Sequence, residues 1–147
     1  GLFSVPKQSI YNVGKFGVKA FTESLALEME MAESPVEVYC VFPGHIGTNI
    51  YHASKFKSFE ADDAGAAIFG ANASTIEEAA EQFKNNAPSS PEHAAKVIIK
   101  NIKKKNKRIL IGADAHFYDL MSRLFPKHFI KIIWVWPFLR NLFTRNK

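Results

Sequence analysis

The stretch VEVYCVFPG, residues 36–44, decides the fold class of this 147-residue chain. It is short, rich in β-branched and aromatic residues, nearly free of charge and ended by a Pro-Gly pair. These properties are typical of a buried strand in a parallel sheet. KRILIGADA, residues 107–115, has the same apolar character and predicts a second short strand.

Helical patterns lie between and around these strands. Apolar residues recur at helical spacing from Ser9 to Met31, and a second helix is predicted to begin after Ser90, which can cap it, with Pro91 in the first position. A third start lies at Ser74 or Thr75. The alternation of helices and strands predicts an α/β fold with parallel strands. Two strands do not make a stable parallel sheet, and the chain begins with Gly1 rather than Met, so we expect it to be a piece of a longer polypeptide.

The composition, 47% hydrophobic and 22% charged, is typical of a soluble globular protein. The single cysteine, Cys40, lies inside the first predicted strand, where we expect a small buried hydrophobe. One cysteine excludes an internal disulfide, and no metal site is predicted. No apolar run reaches the roughly 18 residues that a membrane span requires. The single cysteine is consistent with a reducing compartment, so we expect a cytoplasmic protein, with peripheral contact to a membrane as the alternative.

The net charge is +5, and seven Lys or Arg without an acid fall in KVIIKNIKKKNKR, residues 96–108. We interpret this run as the solvated face of an amphipathic helix, with an anionic membrane patch as the alternative. No aromatic or Gly-rich recognition element interleaves the charges, so no nucleic-acid partner is predicted.

Tyr11 and Lys15 lie four residues apart on the first predicted helix, so both side chains project from one face. A tyrosine phenol is a poor acid–base catalyst at neutral pH unless a nearby cation stabilises its anion. The spacing suits such a pair, but any long helix can contain it by chance, and an ordinary surface pair remains the alternative.

The order of several segments removes much of this ambiguity. YNVGKFGVKAFTESLALEM, residues 11–29, is followed by the first strand, by PGHIGT, residues 43–48, by the SPE helix start and by the closing RILIGADA strand. Over residues 1–120 this order resembles the C-terminal half of the short-chain dehydrogenase/reductase family. The resemblance implies the C-terminal portion of a doubly wound, Rossmann-like parallel-sheet domain, whose N-terminal dinucleotide-binding half is absent from the chain. It places residues 45–90 in a substrate-loop region and leaves residues 121–147 as a separate helical tail.

The resemblance also implies an oxidoreductase that transfers a hydride between NAD or NADP and a carbonyl or alcohol substrate. Tyr11 matches the tyrosine that gives or takes the substrate proton. Lys15 matches the lysine that holds the nicotinamide ribose and eases release of the tyrosine proton. The turn beside the nicotinamide and its phosphates is matched by Pro43, Gly44, Ile46 and Thr48, although a Pro-Gly pair is also common in ordinary turns.

Two departures from the family pattern matter. The family's catalytic serine lies about thirteen residues before the tyrosine, which falls before Gly1, and Ser4 and Ser9 are too close to Tyr11 to replace it. The glycine-rich phosphate loop, the residue that selects NAD or NADP and the active-site asparagine would also lie upstream. We therefore expect the chain alone to be inactive and unable to bind a dinucleotide.

The aromatic, basic tail HFIKIIWVWPFLRNLF, residues 128–143, has three interpretations. It could be a helix docked on the core, a peripheral membrane contact, or part of a homo-oligomer interface or pocket lid. Either of the last two would favour a lipophilic substrate. The alternative to an enzyme is therefore a catalytically dead membrane-surface or interaction module.

Overall fold

The computed structural model describes residues 1–4, 8–50, 75–129 and 131. Most of the predicted substrate-loop region, residues 51–74, and most of the aromatic tail lie outside the described residues. The predictions made for those two segments therefore stay predictions.

Four helices and two strands make up the described part of the chain. In chain order they are α1 (Ser9–Met31), β1 (Cys40–Pro43), α2 (Ile76–Asn85), α3 (Pro91–Lys103), β2 (Arg108–Ile111) and α4 (Ala113–Leu124). The first helix has the predicted bounds. Thr75 caps α2 by accepting a hydrogen bond from the Glu78 amide at 3.1 Å, and Ser90 caps α3 by accepting one from the His93 amide at 3.2 Å. Both predicted helix starts are confirmed.

The two strands pair in parallel, with Cys40 opposite Arg108 and Pro43 opposite Ile111. An isolated parallel bridge between Ile46 and Ser89 lies beyond β1. The α/β class with parallel strands is thus confirmed, and the sheet among the described residues has two strands. The wider doubly wound sheet remains a prediction.

Both strands are shorter than predicted. The Cys40 amide donates to the Lys107 carbonyl at 2.8 Å, and the turn before β2, in which Lys105 has φ 56°, leaves residues 36–39 without a partner strand among the described residues. At the other end Gly112 has φ 90° and ψ 150°, which ends β2 and starts α4 at once. Residues 113–115 are therefore helical, and their assignment to the strand was wrong.

The hydrophobic core lies between the sheet and α3. Ile109 and Ile111 are at most 1% exposed and form a cluster with Ala94 of α3. They alternate along β2, so both point to the same face. Partly buried side chains that complete this core are Tyr39, Val41, Ile46, Val97 and Ile98.

A charged group ties the opposite face of the sheet to two helices. The Arg108 guanidinium lies 4.3 Å from the Phe42 ring centroid, and its Nη2 donates to Asp119 Oδ1 of α4 at 2.6 Å. Its Nη1 is 3.5 Å from Glu23 of α1. Burial would raise the pKa of Asp119, but hydrogen bonds from Arg108 and Arg123 outweigh it and hold this pKa below its usual range.

Cys40 differs from expectation in being only partly buried. Burial, together with the Glu23 carboxylate, still raises the pKa of its thiol. Within the described ranges no helix has both the length and the apolar character needed to cross a membrane.

Candidate functional site

Tyr11 and Lys15 lie on the outward face of α1, as their spacing predicts. The Tyr11 side chain is 58% exposed, and the Lys15 ammonium lies 5.4 Å from its ring centroid. This is the geometry of a cation–π contact on a solvated surface. Among the described residues no carboxylate pairs with Lys15, so its ammonium is free to hold a ligand oxygen.

Most of the rest of α1 is also uncovered, on the Tyr11 face and around it. Asn12 is the buried residue of α1, whereas Val13 is 73% and Val18 61% exposed. A Cβ added at Gly14 or Gly17 would meet nothing within 4 Å. The Tyr11 face is therefore open to solvent in this structure, which leaves room for a substrate and a cofactor.

The predicted cofactor turn, residues 43–48, is held by contacts within the chain. The Gly44 amide donates to the Ile111 carbonyl at 2.8 Å, and the Gly47 amide donates to the Ser89 carbonyl at 2.9 Å. The Thr48 amide donates to the Ile46 carbonyl at 2.8 Å. These three N–H groups are therefore already used within the chain and are not available to a ligand at this turn.

Asp114, in the first turn of α4, also contacts the turn, and the sequence analysis did not single it out. Its Oδ2 accepts a hydrogen bond from the His45 amide at 2.5 Å. Gly44 lies so close that a Cβ built on it would overlap the Asp114 carboxylate. The signal in the sequence is weak: a single acid two residues after a glycine that ends a strand.

His45 is 7% exposed and joins the turn to α2. Its Nε2 lies 2.7 Å from the Phe83 carbonyl, which can only accept, so this nitrogen carries a proton. The two rings also pack with centroids 4.2 Å apart. Burial lowers the pKa of His45, although the Phe83 carbonyl and the Asp114 carboxylate favour the charged ring.

The predicted site residues thus fall into two groups. Tyr11 and Lys15 share one face of α1, whereas the turn follows the carboxyl end of β1, against which α1 packs. The first group offers one exposed ammonium and one phenol to a ligand. Most amides of the turn donate hydrogen bonds within the chain, so the turn offers few N–H donors to a phosphate.

Comparison with known proteins finds similarity to oxidoreductases of one family. Residues 1–58 match the family model described as short chain dehydrogenase. Over 133 residues the chain is 33% identical to proteins named "Putative oxidoreductase SadH" from two strains of Mycobacterium tuberculosis, CDC 1551 / Oshkosh and ATCC 25618 / H37Rv. The alignment covers 90% of this chain and 44% of each relative. No solved structure matches the chain.

The family match contains Tyr11, Lys15 and the whole turn that follows β1. The alignment with the mycobacterial relatives extends the similarity over most of the remaining chain. The resemblance predicted from the sequence is therefore confirmed: residues 1–58 match the short chain dehydrogenase model, and most of the chain is similar to part of a named oxidoreductase.

Proposed function

We propose that the protein containing this chain is an NAD(P)-dependent oxidoreductase acting on a small carbonyl or alcohol substrate. The observation that carries the proposal is the exposed Tyr11–Lys15 pair on one face of α1, within the segment that matches the short-chain dehydrogenase model. The name of the mycobacterial relatives, putative oxidoreductase, supports the same reaction class.

In this reaction the nicotinamide supplies or accepts the hydride. Tyr11 gives the proton that the carbonyl oxygen needs when that carbon is reduced, and takes the proton back when the alcohol is oxidised. Lys15 holds the ribose hydroxyls through its ammonium and stabilises the phenolate left after proton transfer. Both groups face solvent in the described structure, so no rearrangement of α1 is required for a ligand to reach them.

The turn after β1 is proposed to position the cofactor through uncharged groups. Pro43, Gly44, Ile46 and Thr48 lie at the carboxyl end of a parallel strand, where α/β folds bind their ligands. The residues that would choose NAD or NADP and assist Tyr11 are proposed to come from sequence beyond this chain, because the alignment spans 44% of each relative.

The test is an assay of the intact natural protein with NADH and NADPH against a panel of aldehydes and ketones. Tyr11→Phe should lower kcat by at least about a hundredfold, since general acid catalysis contributes about that much. Tyr39→Phe is the matched control, because Tyr39 bonds to Glu37 and to the Ile102 carbonyl, away from α1. It should retain activity within about twofold.

Measurements of cofactor binding distinguish the proposed role of Tyr11 from that of Lys15. Tyr11→Phe should bind the reduced cofactor as the wild type does, whereas Lys15→Met should weaken binding about tenfold, as expected for loss of a charged hydrogen bond. Wild-type turnover by Tyr11→Phe would refute the assigned proton donor. Micromolar binding of NADH by residues 1–147 alone would refute the expectation that this chain is insufficient.

A further inference from the structure

We propose that Asp114 is a positioning residue for the cofactor-side turn, holding Gly44 and His45 against the carboxyl ends of both strands. The proposal rests on the proposed function for its link to a cofactor, and on the geometry of residues 44, 45, 112 and 114 for the positioning itself. The family pattern used above assigns no role to this residue.

The first argument is the hydrogen bond. Asp114 Oδ2 accepts from the His45 amide at 2.5 Å across 69 residues of sequence. A carboxylate that accepts from a backbone N–H makes a shorter and stronger bond than a neutral acceptor does. The bond fixes the peptide between Gly44 and His45, and that peptide orients the rest of the turn.

The second argument is steric. The Asp114 carboxylate occupies the volume in which a Gly44 side chain would begin, and its Oδ1 also occupies the corresponding volume at Gly112. The two glycines directly follow β1 and β2. One carboxylate therefore lies between the two strand ends, so it fixes the distance between the start of the turn and the start of α4.

The third argument is energetic. Asp114 Oδ1 is buried and has no hydrogen-bond donor among the residues that the structure describes. Burying a carboxylate oxygen without a donor destabilises the folded state, and buried polar groups are otherwise almost always bonded. A carboxylate in such a place, at the edge where α/β folds bind ligands, is better explained by positioning than by stability.

The experiment compares Asp114→Ala with Asp114→Asn in the intact natural protein. Asparagine retains an oxygen that can accept from the His45 amide, and alanine does not. For alanine the KM for NAD(P)H should rise about tenfold, as expected for loss of a charged hydrogen bond, with kcat nearly unchanged. For asparagine the KM should stay within about threefold of the wild type.

Asp119→Ala is the matched control on the same helix. Asp119 bonds to Arg108 and Arg123 and does not contact the turn, so its loss should lower the melting temperature without raising the cofactor KM. If Asp114→Ala lowered the melting temperature as Asp119→Ala does but left KM unchanged, Asp114 would be a structural residue only and the proposal would be overturned.

A second readout does not need activity. The His45 amide should give a strongly downfield proton resonance in the wild type and in Asp114→Asn, and should move upfield and exchange faster with solvent in Asp114→Ala. An unchanged His45 amide in Asp114→Ala would overturn the proposal whether or not the protein uses a nicotinamide. Failure of the proposed function would instead appear as a wild type without NAD(P)H turnover and with an intact His45 signal.

Discussion

The two halves of the candidate site differ in how they are held. The turn after β1 is fixed on three sides: by Asp114 of α4, by the Ser89 carbonyl before α3 and by the Phe83 carbonyl of α2. Tyr11 and Lys15 lie on a helix face that the described residues leave open to solvent. The turn is therefore part of the folded core, and the pair on α1 is not.

This difference affects how substitutions should be interpreted. A change in the turn alters folding and ligand binding together, because the same contacts serve both. Among the described residues, a change at Tyr11 or Lys15 removes the exposed cation–π contact between them and no buried side chain, so a loss of activity there reports chemistry. The predictions below test that contrast from its strongest case to its weakest.

Gly112→Ala should have the largest effect on stability, about 2–3 kcal/mol, because φ 90° with ψ 150° is a conformation that only glycine adopts readily. The added Cβ would also overlap Asp114 Oδ1. Gly17→Ala on α1 is the control: it meets no neighbour and should stabilise the helix by about 0.5–1 kcal/mol. Urea unfolding of both variants measures these free-energy changes. Equal changes would mean that the turn region and α1 do not differ in how tightly they are held.

Arg108→Ala should lower the free energy of unfolding by about 1–3 kcal/mol, since it removes the less exposed of the two cations at Asp119 and the cation beside the Phe42 ring. The comparison is Arg123→Ala, which removes a more exposed partner of the same carboxylate and should lose less than about 0.5 kcal/mol. Thermal unfolding at pH 7 distinguishes the two. A larger loss for Arg123→Ala would mean that Arg108 does not join the sheet to α4.

His45 should make the turn sensitive to acid. Because burial lowers the pKa of His45, the unfolded chain binds a proton below about pH 6.5 before the folded chain does. The free energy of unfolding should therefore fall as the pH drops from 7 to 5.

His45→Gln retains an amide donor for the Phe83 carbonyl and removes the titrating ring, so its unfolding free energy should change less over this range. His116→Gln, on the exposed side of α4, is the control and should keep the wild-type slope. A His45→Gln slope equal to that of the wild type would show that another group controls the acid response.

The smallest effects should come from α1. Tyr11→Phe and Lys15→Met should each change the free energy of unfolding of this chain by less than about 0.5 kcal/mol, because neither side chain is buried. Denaturant unfolding of the two variants checks this. A loss above about 1 kcal/mol would mean that the outward face of α1 is packed, and would weaken any mechanistic conclusion drawn from these two positions.

The features that could be predicted from the sequence are those with local causes. The bounds of α1 follow from its apolar period, and the starts of α2 and α3 follow from Thr75, Ser90 and Pro91, each of which acts within one helical turn. The parallel pairing of the strands follows from their apolar character and from the long connection between them. The Tyr11–Lys15 geometry follows from helical spacing alone.

The features that were missed depend on residues far apart in sequence. β1 begins only at Cys40 because the turn before β2 sets where pairing can start, and no local pattern in residues 36–39 reveals this. Asp114 resembles an ordinary acid in the first turn of a helix, and its contact with His45 becomes visible only when β1 and β2 lie side by side. The partial burial of Cys40 likewise depends on which residues, distant in sequence, pack against the start of β1.

The single carboxylate between Gly44 and Gly112 also constrains how this sequence can vary. A side chain at position 44 would have to displace the Asp114 carboxylate, so Gly44→Ala removes much of what Asp114→Ala removes. The two substitutions should therefore be far from additive, and the double variant should be little worse than either single one. Among natural or selected variants of this chain, we expect residues larger than glycine at position 44 only where position 114 holds a side chain shorter than aspartate.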